Sequence, residues 1–273
     1  MNGKQLLLSK MQNDRIHGSS WYYDQATAYM EGSREAEIQD RLNDLEKIRP
    51  GMGSIRNVIS SLRESIDEDD FKSRLQRLIE YKQKVVHELA ENLSYAANPY
   101  IITISYSSAV LLYISIVRPK IVYLMESRPG YEYRNAYRMY SKYSEVRVIQ
   151  DTMAYSFIQN GIPVVTGADG IFSSGYLVNK VGTAQVLACS KLSGMKSYVI
   201  IESYKASEDT IDEDHARSTS LQTDFLVRDL FERVPLDWLD FLVTDAGVFH
   251  NPDRSTILGM VDKFRGYVSS PRP

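Results

Sequence analysis

The residues between 162 and 183 carry the chemistry around which the chain can be organised. Residues 163–168 are a short apolar run bounded by turn residues, as in a buried strand, and they deliver the Asp169 carboxylate at the strand's C-terminal edge. Gly170, Ser173, Ser174 and Gly175 read as a loop. Asn179 and Lys180 stand just before residues 184–192, an apolar run suited to a helix. Ligands of open α/β sheets bind outside the carboxyl ends of the strands, and helix N-termini favour anions. This spacing brings Asp169, Asn179 and Lys180 towards one crevice, with Lys180 as the cation for a phosphate. A motif this short leaves an alternative open, a glycine-rich turn whose aspartate caps neighbouring backbone.

The elements that must position these residues fall into two parts. From Met1 to Leu93 the pattern is helical. Ile38, Leu42 and Leu45 share a helix face, Arg49-Pro50-Gly51 breaks that helix, and Ile55, Val58, Ile59 and Leu62 begin another. An acidic turn at residues 67–70 suits an N-cap, and a stripe of Phe71, Leu75, Leu78, Ile79, Val86, Leu89 and Leu93 follows it. After Asn98-Pro99 short apolar runs alternate with helical stretches. Strands are expected at 100–105, 120–126, 146–150, 163–168, 197–202 and 241–244, and helices at 108–117, 134–143, 153–160, 184–192 and 221–230. Such alternation implies βαβ units and a parallel sheet. The expectation is an α/β protein with a helical N-terminal domain over residues 1–96 and a sheet domain over 97–273. Four strands end on charge, at Glu126 and Arg128, Asp151, Asp169, and Glu202 with Lys205, where such a sheet places its site.

Composition narrows the function classes. The 273 residues are 43% hydrophobic and 25% charged, an ordinary soluble globular composition for one large or two modest domains. Lys and Arg total 32 against 35 Asp and Glu, so direct nucleic-acid binding is not expected. The single cysteine, Cys189, excludes an internal disulfide framework and suits a reducing cytoplasm. There is no signal-peptide pattern, and the longest apolar run, 109–117, is far short of the ~20 residues of a membrane helix. With no Gly-x-Gly-x-x-Gly after a strand and no Walker A loop, neither a dinucleotide cofactor nor ATP is supported. His17, His87, His215 and His250 lack metal-ligand spacing, and there is no Cys-x-x-Cys or Gly-x-Ser-x-Gly. Cys189 reads as a buried thiol rather than a nucleophile. Tyr133, Tyr137 and Tyr140 share a helix face that suits core or a subunit interface over base stacking, while Arg134, Arg138 and Lys142 suit a solvated face. Residues 207–224 read as a solvated acidic loop and 269–273 as a frayed end.

Five strings carry a resemblance. Glu126-Ser127-Arg128-Pro129, Asp151-Thr152, Gly167-Ala168-Asp169-Gly170, Asn179-Lys180-Val181-Gly182-Thr183 and Glu202-Ser203-Tyr204-Lys205, in this order, resemble the translation initiation factor 2B alpha/beta/delta superfamily. That superfamily also contains ribose-1,5-bisphosphate isomerase and methylthioribose-1-phosphate isomerase. Val234-Pro235-Leu236-Asp237 and residues 241–247 are similar to its C-terminal signature. Ile16-His17-Gly18-Ser19 and Arg49-Pro50 occupy places like its Arg-Gly-Ala and Arg-Pro segments. The resemblance implies a helical N-terminal domain on a Rossmann-like domain with a crevice between them, dimerisation through the C-terminal domains, and a single archaeal-type subunit. Isomerase members bind a sugar phosphate there and use a Cys and an Asp to move a proton or hydride between C1 and C2. Asp169 matches that Asp, Asn179 and Lys180 match substrate-binding positions, and Lys205 resembles another. Gly18, Ser19, Arg49, Ser107 and Arg128 join them as candidate ligand contacts.

The thiol is where this chain departs from the isomerases. They carry it after the first sheet strand in a Thr-His-Cys-Asn type of segment. Here the stretch is Thr103-Ile104-Ser105-Tyr106-Ser107, so Ser105 stands in its place. A thiol near its ordinary pKa of about 8.5 can be tuned to shuttle protons, whereas a serine alkoxide is much harder to reach. His17 in place of the family's Arg also weakens phosphate binding. The resemblance therefore implies a homologue of the regulatory subunits. It would be a homodimer or higher homo-oligomer that binds a sugar phosphate or nucleotide and a protein partner, with initiation factor 2 as the candidate. The enzymatic alternative is an aldose-ketose isomerase of ribose 1,5-bisphosphate or a related phosphopentose. Asp169 would then be the acid/base, Ser105 the stand-in for the thiol, and Lys180 and Arg128 the groups holding phosphate or hydroxyls. A third reading is a structural subunit with a vestigial crevice.

Overall fold

The chain opens with five helices, α1 (Gly3–Asn13), α2 (Ser19–Met30), α3 (Glu35–Glu46), α4 (Gly53–Arg63) and α5 (Glu68–Asn92). The computed structural model describes residues 3–14, 17–49, 52–208, 221–223, 226–228 and 230–270. Asp67 starts α5 by accepting the Asp70 amide at 2.8 Å, and Glu68, Asp69 and Asp70 complement the helix's positive end. The buried face of α5 is Phe71, Leu75, Leu78, Tyr81, Val85 and Leu89. Val86, expected in that stripe, is 37% exposed, because Tyr81 and Val85 continue the spacing of three and four instead. Burying each large apolar side chain of this face contributes roughly 1.5–3 kcal/mol.

All six expected strands form. They are β1 (Tyr100–Thr103), β2 (Ile121–Met125), β3 (Glu145–Ile149), β4 (Val164–Gly167), β7 (Ser197–Ile200) and β12 (Phe241–Thr244), and β13 (Gly247–His250) pairs antiparallel with β12 at the sheet edge. Their order is β13-β12-β7-β4-β1-β2-β3, and every pairing except β12 with β13 is parallel. The inner strands β4, β7 and β12 are buried along their whole length, which is why they read as continuous apolar runs. The helices α6 (Ser108–Val117), α7 (Tyr133–Tyr140), α8 (Ala154–Gln159) and α9 (Thr183–Leu192) connect the strands. This is the doubly wound, Rossmann-like arrangement. Its switch point falls between β1 and β4, whose following helices leave on opposite sides of the sheet.

Two smaller sheets, one of four strands and one of two, replace two expectations. The segment after Asp169, expected as a loop, is a hairpin of β5 (Gly170–Phe172) and β6 (Tyr176–Lys180), flanked by β8 (Ala206–Ser207) and β11 (Phe231–Pro235) in the order β11-β6-β5-β8. Its apolar positions pair across strands, Ile171 opposite Leu177, which a reading by glycine content misses. Residues 221–230, expected as a helix, hold the short antiparallel strands β9 (Leu221–Thr223) and β10 (Leu226–Arg228). Apolar runs this short fit either period. Residues 209–220 and 224 of the expected acidic loop, and 271–273 of the expected frayed end, lie outside the described residues.

The last helix, α10 (Arg254–Ser269), ties the two halves together. Asp253 caps it, accepting the Thr256 amide at 3.0 Å. Ile257, Met260 and Val261 pack into the sheet's core, while Phe264 and Val268 pack into the core of the N-terminal helices. Lys263 bridges Glu88 of α5 at 2.7 Å and Asp245 after β12 at 2.9 Å. Helix α4 docks on the small sheet, where Asn57 donates to the carbonyls of Tyr204 at 2.8 Å and Ala206 at 2.7 Å. That docking needs a glycine at α4's first turn, since a Cβ on Gly53 would stand 2.5 Å from the Lys205 carbonyl oxygen. Gly53→Ala is expected to cost about 1–3 kcal/mol of stability. A thermal melt would read it, and an unchanged midpoint would show that α4 shifts freely.

Candidate functional site

A cavity of about 260 Å³ opens at the switch point between β1 and β4. The N-terminal turn of α2 forms one wall through Gly18, Ser19, Ser20 and Trp21, with His17 stacked on the Trp21 ring at 4.4 Å. The turn from β1 into α6 forms another through Ser105, Tyr106, Ser107 and Ser108. Ala168 and Asp169 after β4, Asn179 and Lys180 on β6, and Lys205 complete the inner surface. Asp24, Lys82, Glu132 and Phe231 contribute the remainder. Two helices of more than eight residues therefore turn their positive ends to one space.

Asp169 joins the helical half to the sheet. Its Oδ1 accepts the Ser19 amide at 2.9 Å, at the start of α2. Burial pushes its carboxyl above the usual range, while the Lys205 ammonium, the Ser19 amide and the Arg49 guanidinium pull it back. Lys205, buried itself, lies 2.7 Å from Glu202 Oε2, off the line of a hydrogen bond, and donates to the Ala168 carbonyl at 3.3 Å. Burial raises the Glu202 carboxyl, but Lys205 and the surrounding donors outweigh it and hold it below the ordinary range. Glu202 Oε1 accepts Tyr204 Oη at 3.1 Å and Ser20 Oγ at 3.3 Å, and Ser20 in turn takes Ser108 Oγ at 2.9 Å. One hydrogen-bonded chain thus runs from α6 through α2 to the turn that carries Lys205.

Asn179 and Lys180 arrive on a strand rather than on a loop before a helix. The Asn179 amide donates to Thr183 Oγ1 at 3.0 Å and Thr166 Oγ1 at 3.3 Å. Lys180, 3% exposed, donates to Glu132 Oε1 at 2.8 Å. The N-terminus of α9, expected to receive a ligand's anion, holds one of the protein's own. Glu232 on β11 accepts the Ala184 amide at 2.8 Å, and burial raises its carboxyl. Among the described residues no group of three or more His, Cys, Asp or Glu is placed to hold a metal ion, and no helix is long and apolar enough to cross a membrane.

A model of the initiation factor 2 subunit family matches residues 22–251. The chain belongs to that family. It is 26% identical over 272 residues to a translation initiation factor eIF-2B subunit 2-like protein of Pyrococcus furiosus, covering 90% of this chain and 96% of that one. It is 34% identical over 115 residues to ribose 1,5-bisphosphate isomerase of Archaeoglobus fulgidus, covering 38% of this chain and 37% of that one. The crystal structure of translation initiation factor eIF-2B from Pyrococcus horikoshii superposes with a TM-score of 0.81 at 25% identity, over 92% of this chain and 98% of that one. The family thus has both translation-factor and isomerase relatives of this chain.

The initiation factor 2 subunit fold brings Gly18, Ser19, Ser105, Ser107, Asp169, Asn179, Lys180 and Lys205 to one cavity. Two residues named with them stand elsewhere. Arg49 lies over the rings of Tyr22 at 4.9 Å and Phe231 at 5.3 Å and donates to the Asp14 carbonyl at 2.8 Å, behind the cavity wall. Arg128 is exposed, with its guanidinium 4.4 Å from the centre of the Tyr131 ring. Lys82 and Glu132 were missed, since nothing in the spacing of α5 or of the loop before α7 marks them. Ser108 could have been found from its place after the capping Ser107. Of the tyrosines, Tyr140 is core and its hydroxyl accepts the Ser107 amide at 3.0 Å, while Tyr137 is exposed. Cys189 is half-buried on α9, packed on the sheet core, and burial raises its thiol.

The Asp169 carboxyl sits above its ordinary value of about 3.9, so its ionised form costs stability at neutral pH, and that cost fades as pH falls and the proton is retained. Asp169→Asn is expected to raise the melting temperature at neutral pH, with the gain shrinking as pH drops towards about 4. A variant that melts lower than the parent at neutral pH would show that attraction to Lys205 outweighs desolvation.

Proposed function

We propose that the cavity binds a small phosphorylated ligand, a sugar phosphate or a nucleotide, and that the chain acts as a regulatory-subunit homologue without isomerase chemistry. The observation that carries this reading is the convergence of the first turns of α2 and α6 with the ammonium groups of Lys180 and Lys205 on one cavity. Helix N-termini and buried lysines together favour an anion with several acceptor oxygens. The protein works as a homodimer or higher homo-oligomer and docks a protein partner, with initiation factor 2 the candidate. A helical domain over residues 1–96 and a Rossmann-like domain over 97–273 frame the cavity.

The isomerase reading has one point in its favour, that Ser105 and Asp169 line the same cavity. Against it, the chain's only cysteine stands on α9, outside the cavity lining. Ser105 would have to shuttle a proton from a hydroxyl of far higher pKa than a thiol.

Isothermal titration with ribose 1,5-bisphosphate and with adenosine monophosphate tests the reading. Binding with a submillimolar Kd to at least one of them is expected, without ribulose 1,5-bisphosphate appearing in a product assay. No heat at millimolar ligand would overturn the binding. Product formation that disappears in Asp169→Asn would establish the isomerase instead.

A further inference from the structure

The lysines lining the cavity are each paired with a carboxylate of the protein, and the three pairs are not equally well made. Lys82 pairs with Asp24, which is half exposed, and is also held by the Ser20 carbonyl at 2.9 Å. Glu202, the partner of Lys205, also has its Oε2 buried without a hydrogen-bond partner, but its Oε1 is further held by Tyr204 and Ser20. Glu132 is held on Lys180 through Oε1 alone, and its Oε2 is buried without a hydrogen-bond partner. A buried acceptor left unpaired carries a desolvation cost that is relieved when the group leaves. The Glu132 backbone is fixed, its carbonyl accepting the Ala136 amide at 3.0 Å to start α7, so release requires only the side chain to turn.

We propose that Glu132 is the specificity-determining residue of this cavity, an internal counter-ion that admits to Lys180 only a group more negatively charged than itself. The inference rests on the reading that the cavity takes a phosphorylated ligand. A phosphate monoester carries nearly two negative charges at neutral pH and outcompetes the single charge of a carboxylate for one buried ammonium. A neutral sugar or a monoanionic ester leaves the Lys180–Glu132 pair closed. Gly130 is part of the device, because a Cβ there would stand 1.9 Å from Glu132 Oε2. The atom it would meet is the far end of a flexible side chain, so a methyl group at this position drives the carboxylate off Lys180 rather than disturbing the backbone.

Titration calorimetry with ribose 5-phosphate and its monoanionic 5-sulfate analogue, on the parent chain, Glu132→Gln and Gly130→Ala, tests the proposal. Both variants are expected to bind the phosphate ester roughly tenfold tighter than the parent. Their preference for phosphate over sulfate is expected to narrow, since in neither does a carboxylate remain on Lys180 to be displaced. Thermal melts confirm that each variant is folded. If the parent binds the phosphate ester and Glu132→Gln binds it equally or more weakly, Glu132 is a bystander or a direct contact and the proposal fails. If none of the folded proteins binds it, the phosphorylated-ligand reading fails together with the proposal.

Discussion

The hydrogen bond from the Ser19 amide to Asp169 is the constraint on which the site depends, because it fixes the start of α2 against the C-terminal edge of the parallel sheet. A carboxylate at a helix N-terminus is stabilised by the unpaired amides and the macrodipole there. In this position it also decides where the helical half of the chain can sit. Once α2 is placed, Ser20 reaches both Ser108 at the start of α6 and the Glu202–Tyr204 pair, and α4 follows through the bond between Ser19 and Ser54 hydroxyls at 2.7 Å. Helix α10, with residues in both cores, holds the same arrangement from the far side. The cavity is therefore a consequence of docking two halves rather than a hollow within either.

Its electrostatics follow from the same docking. Asp24, Glu132 and Asp169 line the cavity with Lys82, Lys180 and Lys205, so formal charge is balanced within it. An empty site with unpaired buried ammonium groups would be costly to fold. Supplying internal carboxylates removes that cost. Two helix N-termini differ in the same respect. At the start of α9 the Ala184 amide is taken by Glu232, which does not line the cavity, whereas at the start of α2 the Ser19 amide is taken by Asp169, a carboxylate that does.

Much of this architecture was legible in the sequence. Parallel strands buried on both faces give uninterrupted apolar runs, so β1, β2, β4, β7 and β12 could be placed from hydrophobicity alone. The small sheet could not, because β5 and β6 are short, carry glycine and serine at their turn, and owe their existence to pairing with β8 and β11, which lie far along the chain. Tertiary pairing overrides local turn chemistry there. The candidate site was legible where its residues sit at the ends of strands. It was illegible where they come from the middle of a long helix, as Lys82 does, or from a loop, as Glu132 does. Arg128 failed for a related reason: it follows a strand end, but its side chain turns outwards to Tyr131.

The strings that resemble the family do different work in the fold from what their conservative chemistry suggests. Asp151, at the end of β3, accepts the amides of Ser127 and Arg128, both at 2.8 Å. Ser127 Oγ in turn accepts the Ser105 amide at 2.7 Å. Ser105 is held at a φ of +62°, a left-handed conformation that costs a residue with a Cβ roughly 1–2 kcal/mol and persists only where its surroundings impose it. The turn that sets the shape of the cavity floor is thus fixed by neighbouring backbone and a serine hydroxyl, and none of those bonds involves the Ser105 side chain. Exchanging the atom on that side chain leaves the turn, the start of α6 and the ligand space in place. The shape of the cavity and the identity of the side-chain atom at residue 105 are therefore physically separable.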